Sequence, residues 1–215
     1  MLSFVEEITL LMLDDARGEF VDMPVSAFAT VIAGAALMDL AMHDRVDTDL
    51  EKLVVVNKTP TGDAILDHAL AQIADDGAGM RILEALDRIG LQAQDYAAQA
   101  LQRLVAHGIL REDSGRFLWV FRTRRYPVVD DREEREVKAR LHQILLTDEI
   151  PDPRDVVLIC LVAACKLTDL VLTPEELEGA AARIEQLRKM DLIGQAVAKA
   201  VAEIEFIFRY ATSAV

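Results

Sequence analysis

The chain has 215 residues, 52% of them apolar and only 5% aromatic, and a formal net charge of −14 at pH 7. That is enough length and apolar content for a sizeable core, which excludes a disordered chain. It is also acidic enough to repel nucleic acid and anionic membranes, except where a local basic surface interrupts the field. Alanine and leucine dominate, so packed helices are expected. The expected class is mainly α: a single compact helical-bundle domain over residues 1–215, with one or two small β-hairpins.

In chain order, Phe4, Ile8, Leu11 and Met12 have helical spacing, and Ser3-Phe4-Val5-Glu6 reads as a capping box for a helix over 3–13. Asp14 to Glu19 breaks it, with Gly18 at the turn. Val25 to His43 predicts a long apolar helix with a small-residue stretch at Ala33-Gly34-Ala35-Ala36. The β-branched run Leu53-Val54-Val55-Val56 predicts a strand, paired with Arg45-Val46-Asp47 in a hairpin. Thr59-Pro60-Thr61-Gly62-Asp63 reads as a tight turn feeding a helix whose inner face carries Ile65, Leu66, Ala69, Leu70 and Ile73.

Further helices are predicted from Met80 to Ile89 and from Asp95 to His107, separated by Gly90. Gly108 then stops the chain. A second hairpin follows, with a strand starting at Ile109-Leu110-Arg111, a Ser114-Gly115 turn, and a return strand over Arg116 to Phe121. The C-terminal part reads as helices over Asp131–Leu146 and Asp155–Leu170, then two more from Pro174 to Val215. Thr173 caps the first of these two, with proline at its first position.

The longest uninterrupted apolar run, Val156 to Cys165, covers ten residues, below the length that crosses a bilayer. Glu6 and Glu7 interrupt the start of the chain, unlike a signal peptide, so cytoplasmic placement is expected. Cys160 and Cys165 sit five apart on that helix, point in different directions, and read as reduced core thiols.

No enzyme signature is present: no phosphate-cradling glycine loop, no nucleophile elbow, no histidine pair at metal-ligand spacing. The expectation is no catalytic residue, no metal and no cofactor. His43, His68, His107 and His142 are scattered, and the grouping of His68 with Asp63 and Asp67 reads as a solvated helix start. The acid pairs Asp14-Asp15 and Asp75-Asp76 read as loop acids.

The segment that stands out is Phe117-Leu118-Trp119-Val120-Phe121, running into Arg122-Thr123-Arg124-Arg125-Tyr126. Residues 1–100 hold 18 carboxylates against 6 Lys/Arg, yet from Arg116 to Tyr126 there are four arginines and no carboxylate. Aromatic side chains suit the boundary of a bilayer, and arginine suits the phosphate above it. Phe117, Trp119 and Phe121 share one face of a strand. The candidate lipid-binding residues are therefore Arg116, Phe117, Trp119, Phe121, Arg122, Arg124 and Arg125. The same hairpin could instead bury its aromatics against a second copy, giving a self-associating scaffold. The order helix, Gly108, hairpin also describes a winged helix, but that helix offers a DNA groove only Arg103 as a cation, and no nucleic-acid partner is expected.

Several segments together resemble the Golgi phosphoprotein 3 family: Phe4-Val5-Glu6-Glu7-Ile8-Thr9-Leu10-Leu11, and Ala36-Leu37-Met38-Asp39-Leu40-Ala41 followed by Arg45-Val46. Most specific is Thr59-Pro60-Thr61-Gly62-Asp63-Ala64-Ile65-Leu66-Asp67-His68-Ala69-Leu70, and Leu104-Val105-Ala106-His107-Gly108-Ile109-Leu110 continues in register. The resemblance implies a mainly helical, non-catalytic, peripheral membrane adaptor. Eukaryotic members bind phosphatidylinositol 4-phosphate, use a hydrophobic β-hairpin for membrane contact and self-association, and recruit the cytosolic tails of glycosyltransferases. It thus implies an anionic membrane lipid, a homo-oligomer and a protein client as partners. The family's headgroup pocket takes a tryptophan and an arginine from the early helical region and two arginines from the helix before the hairpin. The positions that align with them here are Pro24, Ala33, Gln94 and Ala97, none of which carries a cation. Arginine outnumbers lysine and alanine is abundant, as in a bacterial relative.

Overall fold

An eighteen-residue helix, α2 (Val25–Met42), lies at the centre, and its interior positions Val31 to Leu40 are all buried. The computed structural model describes residues 2–14, 17–48, 52–74, 79–114, 124–164 and 167–190, with Ile193, Gln195 and Lys199. Around α2 pack α1 (Phe4–Leu11), α3 (Ala64–Ile73), α4 (Ile82–Gly90), α5 (Ala93–Ala106) and α7 (Pro153–Ala164). Two more helices, α6 (Arg132–Leu146) and α8 (Pro174–Arg188), close the other side against α7. The expected mainly α architecture is what the chain adopts.

By length and composition α2 could cross a bilayer, with a mean hydropathy of 1.8 over an 18-residue window, of which 67% is buried inside the protein. It is longer than the ten-residue run at 156–165 that the sequence singles out. A search for unbroken apolar runs undercounts it because Ser26, Thr30, Gly34 and Asp39 divide it. Helices on several sides surround it, which makes it the core helix of the bundle.

The first helix shows how the core is held. All eight residues of α1 are buried, Glu6 and Glu7 included. Its N-terminus carries the expected capping box, with Glu6 N–H donating to Ser3 Oγ at 3.1 Å and Ser3 N–H to Glu6 Oε2 at 2.7 Å. Asp39 of α2 adds a second cap, accepting from the Phe4 N–H at 2.8 Å and the Val5 N–H at 3.4 Å. Glu7 is neutralised from the far end of the chain. Arg154 of α7 donates to Glu7 Oε2 at 2.7 Å and to the Leu2 carbonyl at 2.5 Å, and its guanidinium lies 4.2 Å from the centre of the Phe4 ring. Arg140 of α6 lies 3.6 Å from the other Glu7 oxygen and donates to Asp155 at 2.5 Å. Burial pushes the Asp39 carboxyl up to about 6, against the pull of its two backbone donors.

The strands are short. β1 (Val46–Thr48), β2 (Lys52–Val55) and β3 (Met80–Arg81) form an antiparallel sheet in that order, with Val46 opposite Val55 and Leu53 opposite Met80. Met80 and Arg81, expected to open a helix, form a strand instead. Gly79 at φ +72° lets the chain pass so close to β2 that a Cβ there would lie 3.1 Å from the Leu53 carbonyl oxygen. The C-terminal helices also differ from expectation: α7 ends at Ala164, and a separate 3₁₀ turn spans Thr168–Leu170. Cys160 is buried in α7, and Cys165 lies outside the described residues.

The second hairpin is present with a different register. Asp113–Ser114 (β4) pairs with Arg124–Arg125 (β5), Asp113 opposite Arg125 and Ser114 opposite Arg124. Ser114 is therefore in a strand and not at the turn, and Leu110 bridges Val128 rather than a residue of 116–121. The cause is burial: Ile109 and Leu110 join Leu2, Leu10, Leu13, Leu101 and Leu104 in a second apolar cluster, with Tyr126 and Val128 packed on it. That cluster pins the return leg about ten residues later than the Ser-Gly signal predicts.

Candidate functional site

The root of this hairpin docks on the loop between α1 and α2. Tyr126 N–H donates to the Gly18 carbonyl at 2.8 Å, and Arg125 pairs with Glu19 at 3.0 Å. Gly18 sits at φ +62°, and a Cβ there would lie 2.6 Å from Pro127 N and the Tyr126 carbonyl carbon. Only glycine fits under this crossing, for both conformational and steric reasons. The loop itself is tied to α1 by a Leu13–Phe20 bridge and by Val21 N–H donating to the Met12 carbonyl at 2.9 Å.

One residue beyond Glu19 the same loop forms the wall of a cleft of about 340 Å³. Phe20, Val21 and Met23 come from the loop, Val25 and Phe28 from the start of α2, and Gln94, Ala97, Ala98 and Leu101 from one face of α5. Phe20 and Phe28 meet edge to face with ring centres 5.1 Å apart. Among the described residues Gln94 is the single polar side chain in this wall. Val25 is 70% exposed and Leu91, in the α4–α5 turn, is 80% exposed. Gly90, just before Leu91, packs on Ala29 one turn along α2 from Val25, so both exposed side chains belong to this end of the molecule.

The opposite side of α5 is polar and closed. At 3.6 residues per turn, Tyr96 and Arg103 point away from Gln94, Ala97, Ala98 and Leu101. Arg103 grips both Asp63 oxygens at 2.5 and 3.0 Å. Asp63 also caps α3, accepting from the Ile65 and Leu66 N–H groups at 2.8 and 3.2 Å. Burial alone would raise the Asp63 carboxyl, but Arg103 and the Leu66 and Ile65 N–H groups outweigh it and hold it below the usual carboxylate range. Asp67 accepts from Thr61 N–H at 2.5 Å and from its hydroxyl at 2.8 Å, which folds the Thr-Pro-Thr-Gly-Asp turn onto its own helix. His68 is exposed in α3, the helix that Asp63 caps, in keeping with a solvated helix start. Its Nδ1 lies 2.8 Å from the Tyr96 hydroxyl, and burial pushes that phenol up to about 12.

A second cleft, of about 540 Å³, lies beside α6 and is lined by Val128, Val129 and four charged residues. Those charges pair along the helix, Arg135 with Asp131 at 2.5 Å and Lys138 with Glu134. Among the described residues no group of three or more His, Cys, Asp or Glu is placed to hold a metal ion.

The sequence model of Golgi phosphoprotein 3 matches residues 4–204, nearly the whole chain. The chain belongs to the Golgi phosphoprotein 3 family. Membership supports, at family level, a Golgi phosphoprotein 3-like lipid-binding adaptor, in a family whose members are non-enzymatic.

Of the residues expected at the site of this family member, Arg116, Phe117, Trp119, Phe121 and Arg122 lie outside the described residues. Arg124 and Arg125 form β5, and Arg125 is half-exposed while paired with Glu19. The four positions aligned with the family's headgroup pocket separate. Gln94 and Ala97 line the apolar cleft, Pro24 stands between its two wall residues Met23 and Val25, and Ala33 is fully buried in α2. The cleft thus includes two of the four aligned positions, and no cation stands among its described wall residues. Sequence reading missed Phe20, Phe28, Ala98 and Leu91. They are apolar positions on four separate elements, indistinguishable from core in a linear pattern.

Proposed function

We propose that this protein is a non-catalytic peripheral membrane adaptor that meets anionic phospholipid with the end of the molecule formed by the hairpin root and the apolar cleft. What carries the reading is the apolar cleft with exposed Val25 in its wall, next to the loop on which the hairpin root docks, in a protein that is otherwise acidic. Exposed apolar groups around a concave apolar wall mark a binding face. Arg116, Arg122, Arg124 and Arg125 supply phosphate contacts, and Phe117, Trp119 and Phe121 supply insertion at the acyl boundary. At about 1 kcal/mol per basic residue near an anionic surface, four arginines hold a protein there only reversibly, so the apolar groups must add to them. Phosphatidylinositol 4-phosphate is not favoured as the specific lipid. A phosphomonoester asks for cationic donors, and neither Gln94 nor Ala97 carries a charge.

Co-sedimentation with liposomes tests this. Binding to vesicles containing phosphatidylglycerol, absent from phosphatidylcholine vesicles and weakened by salt, is expected. Combined charge reversal at Arg122, Arg124 and Arg125 abolishes it. Binding that survives the reversal overturns the reading. A dimer insensitive to salt and lipid replaces it with a self-associating module built on the same hairpin.

A further inference from the structure

We infer that the cleft between the 20–23 loop, the start of α2 and α5 takes a single lipid acyl chain, not a headgroup. This rests on the membrane-facing reading for the source of the chain, while the chemistry rests on the cleft alone. Eight of its nine described wall residues are apolar, and none of those nine is charged. A phosphate moved into such a wall would lose its water and gain no cation in exchange. A hydrocarbon gains by the same transfer.

Size and shape select the kind of apolar ligand. The cleft's 340 Å³ is near the lower bound of small-molecule pockets and more than twice the ~150 Å³ apolar cavity that accepts benzene. A partner helix, ~10 Å or more across with its side chains, needs an open groove instead. A flexible chain of methylenes fits a pocket walled by two phenyl rings, a methionine and the small side chains of Ala97 and Ala98. Gln94 is exposed and is the one hydrogen-bonding side chain among the described wall residues. That is the right chemistry for an ester carbonyl, where an acyl chain joins the rest of its lipid. Val25 in the wall is exposed, so on the membrane-facing reading the opening meets hydrocarbon, with Arg125, one of the arginines assigned to phosphate, on the adjacent hairpin root.

Calorimetric titration with dioctanoyl-phosphatidylglycerol and dioctanoyl-phosphatidylcholine, both below their micelle concentrations, tests the cleft without any membrane. Both lipids are expected to bind with similar affinity, and glycerophosphoglycerol, which has no chains, is expected not to bind. Ala98 is exposed, so Ala98→Trp blocks the cleft from its surface side without disturbing the core. It is expected to weaken both chain-bearing lipids at least tenfold, with an unchanged denaturation midpoint. Binding of glycerophosphoglycerol, or chain binding that Ala98→Trp leaves intact, overturns the inference. So does an Ala98→Trp effect that appears only as loss of a dimer. Anionic liposome binding with no monomer binding removes the acyl-chain inference and leaves the membrane reading standing. Monomer binding without liposome binding does the reverse.

Discussion

The two sides of α5 differ in the state of their chemistry. Towards α3, Arg103 meets Asp63 and Tyr96 meets His68, and each group has its partner within the chain. Towards the 20–23 loop, the same helix shows Gln94, Ala97, Ala98 and Leu101 to an unfilled apolar cleft. The polar side looks more like an active site, with an ion pair, a histidine and a displaced phenol. Its groups are occupied in holding α3 against α5. The plain side has the free surface. Perturbed ionisation at a satisfied pair is evidence of structure as often as of function.

The contrast can be broken by mutation. Asp63→Ala removes a helix cap and leaves Arg103 without its bidentate partner. A loss of ~2–3 kcal/mol is expected, read as a lower urea midpoint at unchanged slope. A change under ~0.5 kcal/mol would show the polar side to be dispensable and reopen it as a functional site. Gly18→Ala should cost about 2 kcal/mol, because the residue must hold φ +62° and its Cβ meets the Tyr126–Pro127 backbone. Its hydrogen-exchange signature should be concentrated at the hairpin root, and protection lost evenly over the chain would contradict that assignment.

A smaller effect comes from Asp39. Its carboxyl is raised to about 6 when folded, so the folded state holds the proton more tightly than the unfolded chain does. That contribution is complete below pH ~4, the unfolded value, and is lost as pH rises through 6. Asp39→Asn should flatten this part of the stability curve between pH 4 and 7, and an unaltered curve would assign the slope elsewhere, Glu7 first, which burial also raises. Smallest of all, Leu91→Gln and Val25→Gln should leave stability within ~0.5 kcal/mol, as exposed positions do. A larger loss would show these positions to be core.

The same contrast explains what could be read in advance. The segments that carry the family resemblance turn out to hold one another. Asp39 caps the helix that starts Phe4-Val5, Arg45 donates to the Thr59 carbonyl at 2.7 Å, and Asp63 meets Arg103. Charged and capping residues at set spacings leave a legible trace, so the helices and the turn before α3 were predictable. The hairpin register was not, since it depends on Ile109 and Leu110 joining leucines of α1 and α5. The cleft left no local trace, only the alignment of Gln94 and Ala97 with the family's headgroup positions. Its walls come from residues 20–28 and 94–101, and nothing local distinguishes a buried phenylalanine from one lining an opening. Of the basic hairpin, Arg124 and Arg125, expected to follow a return strand ending at Phe121, themselves form a short strand at the root.

The clamp on α1 has a consequence for the order in which the protein can be completed. Glu7 and Arg154 are 147 residues apart in the chain, yet the carboxylate is buried and Arg154 is its nearest cation. At synthesis rates of ~5–20 residues per second, Arg154 emerges roughly 7–30 s after Glu7. Until then, closing α1 into the bundle would bury a charge without its counterion, so the first helix to be made is among the last to be locked.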